Sequence, residues 1–223
     1  MIIVHHLENS RSQRVLWLLE ELGLDYDIVH HRRDPDTLLA PPALKSIHPL
    51  GKAPVVIDGE RVLAESGAII ENLAERYDTA HALSAAEAGT QRDRQRYWLH
   101  YAEGSLMPPL LLSLVVTRIH NARVPFFVRP IARGIADKLG KGFVQPQLRT
   151  HLDFIEGELA HSQWFAGERF SIADIQMSFP LQAAQARHGL DAHPHLRDFV
   201  QRIEARPAYQ RALQRGGPFD LPG

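Results

Sequence analysis

Two backbone features within residues 48–66 could bind a small ligand without any reactive side chain. Pro54 stands at the mouth of the apolar run Val55-Val56-Ile57. There a missing N–H is tolerable in a sheet and leaves its neighbours free to bond something else. Asp58-Gly59 then reads as a two-residue turn that joins this strand to a second one, Glu60-Arg61-Val62-Leu63. Glu65 and Ser66 precede the apolar positions Ile69, Ile70, Leu73 and Ala74, so Ser66 reads as a helix cap with its N–H groups facing outward. A pre-proline edge and a helix N-terminus at opposite ends of one hairpin suit a small, extended, anionic ligand.

Other chemistry is excluded by composition. The chain has no cysteine, which removes disulfides, zinc–thiolate sites and a protein-borne thiol nucleophile. Thirteen histidines include the adjacent pairs His5-His6 and His30-His31, but no His-Glu-x-x-His or similar helical spacing, and no metal site is expected. A formal net charge of −1 gives no general pull toward nucleic acid or an anionic membrane, so any attraction for anions must be local. No segment reads as a run of the ~20 apolar residues that a spanning helix needs. The N-terminus lacks the basic region of a signal peptide. These absences fit a cytoplasmic protein.

The elements that must position the hairpin follow from periodicity. Ile2 to His6 reads as a strand, and Val15, Leu18, Leu19 and Leu22 recur at helical spacing before Gly23 stops them. Tyr26 to His30 is a second strand, so the first two are parallel with a right-handed crossover. Residues 32–47 are punctuated by Pro35, Pro41 and Pro42 and read as an irregular link with one helical turn. The expected order is β-α-β-α-β-β-α around a four-stranded mixed sheet, spanning residues 1–79. Thr79 to Gly89 is small and polar, a linker. From residue 87 to 223 the pattern is all helical. Gln91 to Asn121 reads as one long helix bent at Pro108-Pro109. Further helices are expected over Pro125–Leu139, around Leu148 to Leu159, over Ser171–Ala186, His195–Ala205 and Pro207–Gln214. Ser171-Ile-Ala-Asp174 is a capping box, read as structural, and Ser10-Arg-Ser-Gln13 is a second box of the same kind.

Together these pieces resemble a known family. Gly51-Lys-Ala-Pro-Val, Leu63-Ala-Glu-Ser-Gly-Ala-Ile and Phe165-Ala-Gly-Glu-Arg-Phe-Ser-Ile-Ala-Asp174 are similar to motifs of the cytosolic glutathione transferases, and the likeness covers essentially the whole chain. The resemblance implies a thioredoxin-like first domain, an all-helical second domain, a homodimer, and glutathione as co-substrate. It places the backbone of Ala53 against the cysteine part of glutathione, with Pro54 cis. It places the γ-glutamyl carboxylate on the Ser66 hydroxyl and N–H, the ammonium near Glu65, and the glycine carboxylate near Lys52.

The resemblance also directs attention to the turn after the first strand, where the family carries a Tyr, Ser or Cys that activates the thiol. Here the turn reads Glu8-Asn-Ser-Arg-Ser-Gln-Arg14, without tyrosine or cysteine. Ser10 is the best-placed hydroxyl to donate to the thiolate, helped by the helix end and Arg11. Asn9 and Ser12 stay open as alternatives, His6 is a weaker one, and Arg14 reads as a surface or domain-bridging charge. An apolar pocket for a small hydrophobic electrophile is implied near Tyr101, Met107, Leu111 and Phe126, types that are more often core. The implied activity is transfer of glutathione to an electrophile. Peroxide reduction by the same thiolate, or ligand or protein binding without catalysis, are the alternatives.

Overall fold

The computed structural model describes residues 1–221 apart from 36, 38, 86 and 87. Four strands, β1 (Ile2–Leu7), β2 (Tyr26–His31), β3 (Val55–Asp58) and β4 (Arg61–Ala64), form one sheet in the order β2-β1-β3-β4. β1 pairs parallel with β2 and antiparallel with β3. Helices α1 (Ser12–Glu21) and α2 (Ser66–Tyr77) complete the N-terminal domain, a thioredoxin-like arrangement. β1 is central, and Ile2, Val4 and Leu7 are buried. Among the described residues between β2 and β3, the helical turn expected there is a short 3₁₀ segment, Pro42–Ser46. Pro41 and Pro42 supply no N–H there, and Leu44 alone of the turn is buried.

The hairpin differs from the expected one by a residue. Asp58 pairs with Arg61, so the turn residues are Gly59 and Glu60. Gly59 takes φ +64, a conformation that costs glycine little. Asp58 stays in the strand because its carboxylate is engaged: Arg76 donates to it at 2.6 Å and the Tyr77 hydroxyl at 2.8 Å. These bonds tie the hairpin to the C-terminal end of α2.

The expected linker is organised by Asp78, whose carboxylate accepts from the N–H groups of Ala82, Leu83 and Ser84, each at 2.8 Å. The boundary expected at residue 87 lies outside the described residues. The C-terminal domain is helical: α3 (Thr90–Tyr101), α4 (Met107–His120), α5 (Arg129–Leu139), α6 (Gln145–His161), α7 (Ile172–His188), α8 (Pro194–Glu204) and α9 (Pro207–Gly216). π-helical segments at Ala102–Leu106 and Gly140–Val144 join α3 to α4 and α5 to α6. Each runs into proline, at Pro108-Pro109 and at Pro146, whose missing N–H groups leave carbonyls of the preceding turn without α-helical partners. The helix expected from Pro125 starts at Arg129, after a turn on the Pro125 carbonyl. The continuous helix Thr90–His120 is long and apolar enough, by length and composition, to cross a membrane, which the sequence reading did not anticipate. Here its α3 part packs against α7.

The two domains share one core. Trp17 of α1 is fully buried against Phe170 and Tyr209, with ring centroids 5.4 and 5.2 Å away. Arg206 forms a two-pronged ion pair with Glu21, at 2.5 and 2.8 Å. α9 lies so close to α1 that a Cβ on Gly216 would meet Leu16 at 2.5 Å.

The capping box at the start of α7 is present as expected. Ser171 Oγ accepts from the Ala173 N–H, and Asp174 accepts from the Ser171 N–H at 2.8 Å. Asp174, fully buried, also accepts from the Phe165 N–H at 2.9 Å and so pins the preceding loop. Replacing Asp174 with Ala orphans two buried N–H groups, each worth about 1–3 kcal/mol, so urea denaturation of Asp174→Ala should show a loss of about 3 kcal/mol. A loss below about 1 kcal/mol would mean that the box is ornamental.

Candidate active site

The site is assembled where β1 ends. The antiparallel register His5↔Val55, continued by two places, sets Ala53 level with Leu7, just before the turn that carries Ser10. The Ala53–Pro54 peptide bond is cis, as the resemblance implied. Gly51, at φ +58 and against the aliphatic part of Lys45, shapes the approach to it. Lys52 is exposed, Ala53 is half-buried and Pro54 is buried.

In the turn after β1 the three candidate side chains separate. Ser12 has no exposed surface and cannot reach a ligand. Asn9, at φ +49, turns its Oδ1 to the Asp220 N–H at 2.8 Å. Ser10 keeps 6% exposure at the N-terminal end of α1. It does not form the expected box with Gln13. Arg11 takes the cap position, and Ser10 Oγ accepts instead from the Ser12 N–H at 3.2 Å.

At the other end of the hairpin, Glu65 occupies the cap position of α2 with φ +68 and ψ 114, a conformation that non-glycine residues hold only when their surroundings impose it. Its side chain is exposed and makes no cap bond. Ser66 is therefore the first helical residue and not the cap. Its hydroxyl oxygen accepts from Arg14 Nη2 at 2.7 Å, which leaves its own hydrogen for a ligand at the positive end of α2.

Arg14 is the residue that sequence reasoning undervalued. Its side chain is 1% exposed, and it bridges the domains. Besides Ser66 it donates to the Gln176 carbonyl at 2.5 Å and to Glu103 of the π segment. The Gln176 carbonyl needs that donor, because Pro180, four residues on in α7, has no N–H to give it. A proline inside an apolar helix is the sequence signal that could have pointed there; nothing in the sequence marks Glu103. Arg11 also holds Glu103, through Nε at 2.8 and 3.0 Å, and lies 4.7 Å from the centre of the Phe179 ring. Burial pulls the Arg14 guanidinium down to about 10, with Glu103 opposing. Burial pushes the Glu103 carboxyl up, but Arg14 and Arg11 outweigh it and hold the group below its usual value of 4.5. Arg14 and Glu103 are therefore both charged at neutral pH. Tyr101, by contrast, is buried in an aromatic cluster with Trp98 and its hydroxyl shares a hydrogen bond with His151 Nδ1, while Leu111 and Phe126 are exposed.

The two arginines should differ in their effect on stability. Removing the buried partner of an ion pair costs about 3 kcal/mol or more, whereas a half-exposed partner contributes about 0–1 kcal/mol. Denaturant titration should therefore find Arg14→Met strongly destabilised and Arg11→Met close to wild type; equal losses would contradict the assignment. Because the folded Glu103 carboxyl titrates lower than the unfolded one, its contribution is present above pH 4.5 and is lost as pH falls through the folded value. Glu103→Gln should flatten that acid-side loss.

Comparison with known proteins places this arrangement. Family models for the glutathione S-transferase N-terminal domain and C-terminal domain match residues 10–76 and 119–207. The chain is 36% identical to glutathione S-transferase 1 of Saccharomyces cerevisiae, over 96% of this chain and 95% of that one. It is 37% identical to glutathione S-transferase 3 of Schizosaccharomyces pombe, over 96% and 88% of the two chains. A crystal structure of a glutathione S-transferase from Actinobacillus pleuropneumoniae superimposes with a TM-score of 0.84 at 34% identity, covering 99% of this chain and 95% of that one. The chain belongs to the glutathione S-transferase family.

Proposed function

We propose that the protein binds glutathione along the β3 edge, stabilises its thiolate at Ser10 and transfers it to a small hydrophobic electrophile. The observation that carries this reading is the placement of two buried serine hydroxyls, Ser10 and Ser66, at the N-terminal ends of α1 and α2, with the cis Ala53–Pro54 edge between them in the fold. Ser66 takes the γ-glutamyl carboxylate, Glu65 the ammonium, the Ala53 backbone the cysteine unit, and Lys52 the glycine carboxylate. The Ser10 hydroxyl donates to the sulfur, and the α1 end and Arg11 add positive potential. Exposed apolar side chains of the helical domain, Leu111 and Phe126 among them, support an apolar second substrate. The working form is a homodimer in the cytoplasm.

The energetic demand is modest. Lowering a thiol pKa by two units takes about 2.7 kcal/mol of differential stabilisation, at roughly 1.36 per unit. One charge-assisted hydrogen bond and a helix end are together of that size. Ultraviolet titration of bound glutathione should place its thiol about two units below the ordinary value of roughly 8.5. Ser10→Ala should raise it by about one unit or more, while calorimetric affinity changes by less than about threefold. An unchanged thiol pKa in Ser10→Ala would move the role to Asn9 or to backbone N–H groups.

A further inference from the structure

Ser10 is the outer end of a buried chain. Its Oγ lies 2.8 Å from Ser12 Oγ, which lies 2.9 Å from His6 Nδ1, and all three residues are buried. Backbone donors occupy part of what remains: the Leu7 N–H donates to Ser12 Oγ at 3.1 Å, and the Ser12 N–H donates to Ser10 Oγ at 3.2 Å. A hydroxyl has one hydrogen and two acceptor positions, so the chain can be counted.

With a hydrogen on His6 Nδ1, both acceptor positions of Ser12 Oγ are filled, by His6 and by Leu7. The Ser12 hydrogen then has two acceptors in reach, Ser10 Oγ at 2.8 Å and the Leu7 carbonyl at 3.1 Å. It goes to the shorter contact, which would otherwise set two oxygens together with no hydrogen between them. Ser10 now accepts twice, from the Ser12 hydroxyl and amide, and its own hydrogen is left to point out of the chain. With Nδ1 bare the direction reverses. Ser12 donates to His6, Ser10 donates to Ser12, and a bound sulfur meets only a lone pair.

We infer that His6 is a positioning residue that acts through Ser12 to aim the Ser10 hydroxyl hydrogen at the glutathione thiolate. This rests on the reading of Ser10 above. The ring is enclosed on several sides. His30 of β2 meets it edge-on at 5.7 Å, His31 and Glu8 act on it more weakly, and the Gly216 backbone at the end of α9 hydrogen-bonds it. Burial and then His30 push its pKa down to about 4, against the pull of Gly216. At neutral pH the ring is neutral, with one hydrogen for two nitrogens, and Ser12 and Gly216 compete for it. A thiolate at Ser10 settles the competition in favour of Nδ1.

The test is a double-mutant cycle on His6→Leu and Ser10→Ala, read by the thiol pKa of bound glutathione. His6→Leu should raise that pKa by about one unit, a tenfold loss of thiolate, while calorimetric affinity for glutathione stays within about threefold. In the Ser10→Ala background His6→Leu should add nothing, since it acts through Ser10. A wild-type thiol pKa in His6→Leu, with Ser10→Ala raised, overturns the role of His6 and leaves Ser10 in place. An unchanged Ser10→Ala overturns both. Should His6→Leu fail to fold, ¹⁵N resonances of the His6 ring in wild type decide. Nδ1 protonated in the glutathione complex supports the chain, and bare Nδ1 there refutes it.

Discussion

The structure turns on one guanidinium. Pro180 deprives the Gln176 carbonyl of its helical donor in the middle of α7, and the Arg14 side chain from the other domain supplies one. The same fork reaches Ser66 at the start of α2 and Glu103 in the π segment after α3. A lysine, with a single ammonium centre on a flexible stem, could not span these directions as a planar fork does. The packing of the two domains and the orientation of the Ser66 hydroxyl are therefore one constraint. A change that loosens Arg14 loosens both.

That constraint also explains how a chain with net charge −1 gathers positive potential in one place. Two helices start at the site, and the positive ends of their dipoles favour an anion. Arg11 and Arg14 stand beside them, and among the described residues one carboxylate, Glu103, pairs with both. Glu103 keeps the cluster from carrying two unbalanced charges when no ligand is bound. The Ser66 hydroxyl, accepting from Arg14, keeps its own hydrogen as a group that a ligand would meet.

Much of this was legible in the sequence, and the reasons are local. The strand and helix periodicities, the Ala53–Pro54 edge and the Ser171–Asp174 box are written over a few consecutive residues. The edge and the box appeared where expected, and the strands and helices within a few residues of their expected bounds. What was not legible depends on distant partners. Arg14 and Glu103 are 89 positions apart, and neither looks special in its own segment. Ser66 reads as a cap because serine before an apolar run usually is one. Positive φ at Glu65 moves the cap back by a residue and frees Ser66 for Arg14. Asp58 reads as a turn residue for the same statistical reason, until Arg76 and Tyr77 hold it in the strand. Ser10 reads as a partner of Gln13, whereas the fully buried Ser12 beneath it draws it into a chain with His6.

The central claim is that Ser66, held by Arg14 at the start of α2, receives the carboxylate of glutathione. Isothermal titration calorimetry of glutathione into wild type and Ser66→Ala tests it most directly. The account predicts saturable heat for wild type and about tenfold weaker binding for Ser66→Ala, the loss of roughly 1.4 kcal/mol expected for one hydrogen bond to a charged group. No heat from wild type at millimolar glutathione, or equal affinity in the two proteins, would contradict it.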